Sequence, residues 1–361
     1  MTALAGTVSS TKTATDRSRT AASPGSQTPV TSERLMKFVF AYAPPLMVDT
    51  AVSLNLFDLL DAAPATVEQV SSKTGASERG LRAVMNALVG LELLTKDAQG
   101  RYSLTPESET FLVKGKPGFL GGLFHHSAAE ILPKWMQLNE VVLTGQPVMA
   151  ANDESEGSAF FTQLVEAIFP LSYLPAQTLA EALDVAHATE TILVLDLAAG
   201  SGVWGIALAE KSPHVYVTAV DWEGVIPTTK QVAKRFGVAN RFRYIEGDLM
   251  EAEFDNGYHI ATLGHILHSE GEQHSRALLR KTFRALAPGG TIAIAEWLVN
   301  EDRMGPPHSL IFAVNMLVNT EHGDTFSFGE ISRWLKEAGF ENPRTLEAPG
   351  PSPLVLATKP S

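Results

Sequence analysis

Hydrophobic positions along the chain change their period twice. Between 31 and about 115 they recur at helical spacing, and Ala51-Val52, Leu54, Leu56-Phe57 and Leu59-Leu60 form a broad apolar face. The pattern predicts a short helix over 66–72, a turn at Gly75-Ala76, and a second helix over 78–88 capped by Ser77. Leu91–Leu94 leads into Lys96-Asp97-Ala98-Gln99-Gly100-Arg101-Tyr102, which predicts a hairpin. Helix, turn, helix and hairpin together make a winged helix. Residues 117–187 read as mostly helical. From 188 onward, predicted strands (191–197, 215–220, 241–245, 258–263, 291–297) alternate with helical stretches at 203–211, 225–236, 272–286, 307–319 and 328–338. The first of these strands is an apolar run with no polar face, which reads as a strand buried on both faces, as in a parallel sheet. The stretches 345–348 and 353–358 predict a final antiparallel pair. The fold class is therefore α/β, a doubly wound sheet domain preceded by an all-helical winged-helix-type domain. The expected boundaries are a disordered tail over 1–30, the winged-helix-like domain over 31–115, a helical linker over 116–187 and the sheet domain over 188–361.

Composition narrows this picture. The 361 residues are 45% hydrophobic and 19% charged, as in a water-soluble globular protein with ample core. The net charge of −12 argues against a broad nucleic-acid surface, and the second helix offers only Arg79 and Arg82, offset by Glu78. The winged helix is therefore expected to be a packing module. With no cysteine in the chain, disulfides, thiolate catalysis and cysteine-ligated metal are excluded, and no metal site is expected. No apolar run is expected to reach the roughly 18 residues of a membrane helix. Lys12, Arg17 and Arg19 in the Ser/Thr-rich tail hint at a transit peptide, but a plain cytoplasmic tail is the expectation.

The chemistry centres on 191–205. A strand ends at Asp196, small residues follow, and a helix starts at Val203, which together make a nucleotide cradle. Gly200, Gly202 and Gly205 fit G-x-G-x-x-G, a pattern that alone would suggest a nicotinamide dinucleotide. Asp196, just before the glycines, would repel a pyrophosphate and suits an amino-acid ammonium or a water bound beside it. Asp221 follows by about 20 residues and can hold ribose hydroxyls. Gly247-Asp248 ends a further strand with a carboxylate suited to an adenine amine. This set resembles the class I S-adenosylmethionine-dependent methyltransferases, whose sheet has seven strands in a Rossmann-like arrangement. The resemblance implies S-adenosyl-L-methionine as cofactor, held by Asp196, Ala198, Gly200, Gly202, Asp221, Trp222, Gly247, Asp248, Leu249 and His265. Ala198 stands where the family often has its first glycine.

With a winged helix in front, the chain is similar to the small-molecule O-methyltransferases of the caffeate and bacterial polyketide type, which implies a homodimer and a small-molecule methyl acceptor. For a neutral hydroxyl the enzyme must aim the acceptor and remove its proton. His268, in Gly264-His265-Ile266-Leu267-His268-Ser269-Glu270, matches the family's base, although Ser269-Glu270 replaces the usual Asp-Trp. Glu296, ending the next strand, matches the glutamate that orients the histidine. The family's second glutamate has no counterpart: Gly323 falls there, with Glu321 and Asp324 nearby. Phe169 and Tyr173 are expected at the acceptor, as are Phe312, Asn315, Met316 and Asn319 on one helix face. Three alternatives stay open: S-methylation of a thiol or thioether without an essential base, a cofactor-sensing DNA-binding regulator, and a nicotinamide enzyme.

Overall fold

The computed structural model describes residues 30–151 and 154–361. The expected tail, with Lys12, Arg17 and Arg19, lies outside the described residues apart from Val30. The described residues fall into two units, one ending at Tyr42 and the other spanning Ala43–Ser361. Within the first, α1 (Glu33–Val39) leaves Leu35, Met36, Phe38 and Val39 exposed.

The second unit starts with α2 (Ala43–Ser53), α3 (Leu56–Ala62), α4 (Val67–Thr74) and α5 (Glu78–Gly90). The hairpin β1 (Leu94–Lys96) and β2 (Tyr102–Leu104) follows, and then α6 (Pro106–Phe111). Local sequence sets these boundaries. Thr66 and Gln69 form a reciprocal capping box on α4, and Gly75 ends that helix in the left-handed region. The Ser77 side chain accepts from Gly80 N to start α5. Leu56, Phe57, Val70, Met85, Leu88 and Tyr102 are buried together, so the expected winged helix is present and closed around its own core. One expectation changes here. Glu33–Ser53 is, by length and composition, apolar enough to cross a membrane. It nevertheless turns at 40–42, and its second half buries Val48, Ala51 and Val52 in the winged-helix core.

The connecting segment comprises α7 (Gly121–His126), a π-helical turn over Ser127–Ile131, α8 (Leu132–Trp135), α9 (Leu138–Thr144), α10 (Glu154–Ala167) and α11 (Phe169–Ala182). The sheet follows with β3 (Ile192–Leu197), β4 (Val215–Asp221), β5 (Phe242–Glu246), β6 (Tyr258–Gly264), β7 (Leu286–Ala295), β8 (Glu341–Leu346) and β9 (Leu354–Thr358). Its spatial order is β5-β4-β3-β6-β7-β9-β8, parallel from β5 to β7, with β9 antiparallel to both neighbours. The intervening helices are α12 (Val203–Lys211), α13 (Ile226–Arg235), α14 (Leu267–Ala285), α15 (Pro307–Asn319) and α16 (Phe328–Ala338). Along β3 the alternation of side chains sends Val194 into the cluster under α11 and α12. Leu195 and Leu197 go into the cluster under α14 and α16. Both faces are covered, which is why the strand carries no polar face. The strand order reverses between β3 and β6, and a doubly wound sheet opens its ligand crevice at the carboxyl ends beside such a reversal.

The helix expected over 272–286 begins earlier, at Leu267, and kinks at Gly271 (φ 71°, ψ 175°). Glycine alone adopts that backbone without strain, and a Cβ there would collide with the His322 carbonyl. The kink lets the first turn of α14 face the crevice while the rest packs on the sheet. Gly271→Ala should therefore destabilise the protein by about 1–3 kcal/mol in urea unfolding, and an unchanged midpoint would contradict this account.

Candidate active site

After β3 the chain makes a left-handed turn in which Ala198 has φ 50°, Gly200 φ 55° and Gly202 φ 77°. Asp221, at the end of β4, pins this turn: Gly200 N donates to its Oδ2 at 2.7 Å and Trp222 N donates to its Oδ1 at 2.8 Å. Thr229 Oγ1 donates to Gly200 O at 2.6 Å from the other side. The result is a cleft of about 920 Å³, counting its open mouth. Ala198, Gly200, Asp221, Trp222, Asp248, Leu249 and His265 line one part of it, while Phe161 and Val165 of α10, Ser172 of α11 and Ile168 between the two helices line another. A Cβ on Gly200 would stand 3.1 Å from Val165 Cγ1, so glycine keeps the floor open.

The cleft is acidic. Burial pushes the Asp221 carboxyl up to about 6. Burial, reinforced by the charge of Asp248, pushes Glu270 up to about 7. His265, half-buried on the cleft wall, is pushed down to about 4 by desolvation, and its Nδ1 has no hydrogen-bond partner among the described residues. Carboxyl groups beside a neutral imidazole and a glycine floor suit a ligand that carries hydroxyls, an amine and positive charge. Such a set fits the ribose, adenine and sulfonium of S-adenosyl-L-methionine. Sequence reasoning missed Glu270 as a wall residue. Its signal was the altered motif itself, where Ser269 and Glu270 both line the cleft.

Several expected ligand residues stand one layer back. Asp196 is fully buried and does not line the cleft: its Oδ2 accepts from Gly205 N at 3.0 Å and its Oδ1 from Thr262 Oγ1 at 2.7 Å. It ties the start of α12 to β6 instead of meeting an ammonium. Gly202 caps α12 beneath the turn, with Thr229 Cγ2 where a Cβ would point. Gly247 acts through its backbone, donating to Asp221 O at 3.0 Å. Phe169 and Tyr173 do not face the cleft either. They stack on each other at 5.2 Å and pack against Phe236 in the core, and Tyr173 OH donates to Glu210 at 2.6 Å. Their neighbours Ile168 and Ser172 look into the cleft, since one residue along a helix turns the side chain by about 100°.

The reacting end is built on the first turn of α14. Glu296, following β7, is buried; its Oε1 accepts from Leu267 N at 2.7 Å and His268 N at 3.3 Å, and its Oε2 meets His268 Nδ1 at 2.6 Å. Burial alone would raise this carboxyl, but the charge and hydrogen bond of His268, with His265 and the backbone, hold it below its ordinary value. An ionised Glu296 assigns the proton of the imidazole to Nδ1 and leaves Nε2 to accept another. His265, His268 and Glu296 each bring a donor atom to within 4.8 Å of the others, with His268 and Glu296 already bonded to each other. Gly323 does fall beside the base: a Cβ there would press on His268 O, and Asp324 N donates to that oxygen at 2.9 Å. Neither nearby carboxylate reaches the imidazole. Glu321 is exposed beside His322, and Asp324 faces Arg303.

On α15, Phe312 sets its ring edge-on to His268 at 4.9 Å and stacks on Trp297 at 4.7 Å. Asn315 accepts from Trp135 Nε1 at 2.9 Å. Met316 and Asn319 turn inward and are buried, with Asn319 Nδ2 donating to Asn315 O at 2.8 Å. Of the expected stripe, Phe312 is the member in contact with the base.

The fold and this cleft define a class I S-adenosylmethionine-dependent methyltransferase. The chain belongs to the O-methyltransferase family: the model of the O-methyltransferase domain matches residues 141–341, and that of the O-methyltransferase dimerisation domain matches 36–114. It is similar to the tetracenomycin polyketide synthesis 8-O-methyl transferase of Streptomyces glaucescens, 28% identical over 333 residues, with 90% of this chain and 96% of the relative covered. It is also similar to the 3-hydroxy-5-methyl-1-naphthoate 3-O-methyltransferase of Streptomyces sahachiroi, 29% identical with 86% and 90% covered. Human N-acetylserotonin methyltransferase, solved in complex with SAM, shares the fold with a TM-score of 0.82 at 22% identity, over 94% of this chain and 100% of that one. The family assignment decides against the nicotinamide and regulator alternatives.

Asp196 offers a test of the layer beneath the turn. Burial pushes its carboxyl up to about 7. A carboxyl raised in the folded state contributes stability that is full below its unfolded pKa and is lost as pH rises through the folded value. Asp196→Asn, which removes this titration, should therefore gain stability relative to the unsubstituted protein between pH 5 and pH 8. A difference in melting temperature that stays flat over that range would refute the assignment.

Proposed function

We propose that the chain transfers the methyl group of S-adenosyl-L-methionine to a hydroxyl of a small aromatic or polyketide-like acceptor. In this reading it works as a cytoplasmic homodimer, with His268 as general base. The observation that carries this reading is the buried pair of His268 Nδ1 and Glu296 Oε2 at 2.6 Å, in the turn whose Ile266 and Ser269 line the cleft, with Phe312 edge-on to the imidazole. Relatives that act on polyketide and naphthoate hydroxyls support the acceptor class. The exposed Met36, Phe38 and Val39 of α1, within the stretch matched by the dimerisation model, support the homodimer.

When bound, the cofactor supplies an electrophilic methyl carbon on a sulfonium. Asp221 holds ribose hydroxyls, Asp248 and Trp222 face the adenine end, and the turn at Ala198–Gly200 admits the methionine end. His268 Nε2 would take the proton of the acceptor hydroxyl, and Glu296 would compensate the imidazolium that forms. Phe312 and Trp297 make a flat apolar wall beside the base, which orients a planar acceptor and keeps water away.

An acceptor screen with phenols, carboxylates, thiols and thioethers supplies the assay. With a phenolic acceptor, His268→Ala should lower kcat by about 10²–10⁴-fold while calorimetric affinity for S-adenosylhomocysteine stays the same. Near-full turnover of that variant would remove the base, and preference for a thioether would move the reaction to sulfur.

A further inference from the structure

The sulfonium cofactor carries one anionic group, the carboxylate of its methionine end. Among the described residues that line the cleft, Asp221, Asp248 and Glu270 are acidic and none is Lys or Arg. Desolvation holds His265 below its ordinary value, so that imidazole is neutral as well. A carboxylate in this cleft therefore depends on neutral hydrogen-bond donors. Those donors must open on the cleft and must not be used up by the fold.

Trp204 supplies such a donor. It lines the cleft and is only 4% exposed, yet its indole Nε1–H has no hydrogen-bond partner among the described residues. Nor is that nitrogen sealed in the interior, as the unpartnered Nε1 of Trp334 is. Buried indoles ordinarily find an acceptor within the protein, as Trp135 does in Asn315. The ring reaches the carboxyl end of β6: a Cβ on Gly264 would collide with Trp204 Nε1, so glycine there makes room for the indole nitrogen at the cleft wall. The backbone beside it suits the same charge. Trp204 is the second residue of α12, whose N-cap, Gly202, brings no side-chain cap. Gly205 N is taken by Asp196, but Val203 N and Trp204 N make no hydrogen bond among the described residues. Ser201, 3% exposed, also lines the cleft, and its hydroxyl has no partner among the described residues. An open helix start favours an anion through its free N–H groups and its dipole. Indole, hydroxyl and helix start thus converge within residues 201–204, directly after the turn at Ala198–Gly200.

We propose that the indole N–H of Trp204, with Ser201 and the open start of α12 beside it, holds the amino-acid carboxylate of S-adenosyl-L-methionine. The cleft then anchors the anionic end of its cofactor with neutral donors and no basic side chain. This rests on the reading that the turn at Ala198–Gly200 admits the methionine end, and it adds a positioning residue to that reading.

The unsubstituted protein and Trp204→Phe would each be titrated calorimetrically with two ligands. One is S-adenosylhomocysteine. The other is 5′-deoxy-5′-(3-aminopropylthio)adenosine, which keeps the adenosine, the thioether and the amine but lacks the carboxylate. The unsubstituted protein should bind S-adenosylhomocysteine about tenfold or more tightly than the analogue. Trp204→Phe should remove most of that preference, weakening S-adenosylhomocysteine while leaving the analogue within about twofold. No preference in the unsubstituted protein, an unchanged preference in Trp204→Phe, or equal weakening of both ligands, as a merely structural role would give, would each overturn the proposal. Should Trp204→Phe fail to fold, the five indole N–H resonances of the unsubstituted protein decide. One that moves downfield with S-adenosylhomocysteine and stays in place with the analogue supports the anchor, and the lack of any such resonance overturns it. Binding of both ligands without preference strikes the anchor alone, whereas binding of neither strikes the cofactor site together with it.

Discussion

The buried carboxylate of Glu296 is the group on which the reacting end depends. It sits just past β7 and gathers two backbone N–H groups at the start of α14 together with the imidazole of His268. Helix N-termini leave such donors unsatisfied, and an anion placed there is favoured both by those donors and by the helix dipole. One carboxylate therefore does two things. It fixes where α14 begins relative to the sheet, and it fixes which nitrogen of His268 faces outward. The second carboxylate seen in related enzymes is absent, and position 323 is a glycine pressed against the His268 carbonyl. Orientation of the base falls to Glu296, the loop contact from Asp324 N and the edge of Phe312.

The cofactor side follows a different principle. Asp196, Asp221 and Glu270 are all raised by burial, and of the three Asp221 and Glu270 line the cleft. Asp196 spends its oxygens inside the fold, tying α12 to β6. Asp221 uses its oxygens to hold the glycine turn, yet it also lines the cleft. These groups are costly to ionise in the folded protein by itself. A ligand carrying an ammonium and a sulfonium offsets that cost through charge, and ribose hydroxyls offset it through hydrogen bonds. The cleft thus stores part of its ligand preference as unfavourable burial of its own acids, a usual property of functional sites.

Much of this was readable from the chain before any coordinates. The first strand of the sheet is a run without a polar face because both sheet faces are covered, and β3 divides Val194 from Leu195 and Leu197 between two cores. Caps and glycines placed α4, α5, α12 and α16 within a residue or two. The sheet edge likewise brought Asp221, Asp248, His268 and Glu296 to one end of the molecule, since acidic and basic residues that end parallel strands have nowhere else to point. What failed shares one cause. Helical periodicity groups residues into faces but does not say which face looks inward. Phe169 and Tyr173 therefore took the place that belongs to Ile168 and Ser172. Asp196 was read as a ligand because a carboxylate after a buried strand is conspicuous, whereas its true partners are 9 and 66 residues away along the chain.

The same limit explains why the acceptor is the least determined part. In the proposed reading its walls would come from α7 to α11, where the pattern carries little direction. In such a segment the informative residues are the polar ones that should not be there. Trp135 and Asn315 satisfy each other. Lys134 satisfies Glu130. The ring nitrogens of His126 have no hydrogen-bond partner among the described residues. An apolar pocket admits many planar compounds at similar affinity, because removing or adding a hydrocarbon contact changes binding only modestly. A buried hydrogen-bonding group discriminates far more strongly, since the wrong ligand leaves it unpaired.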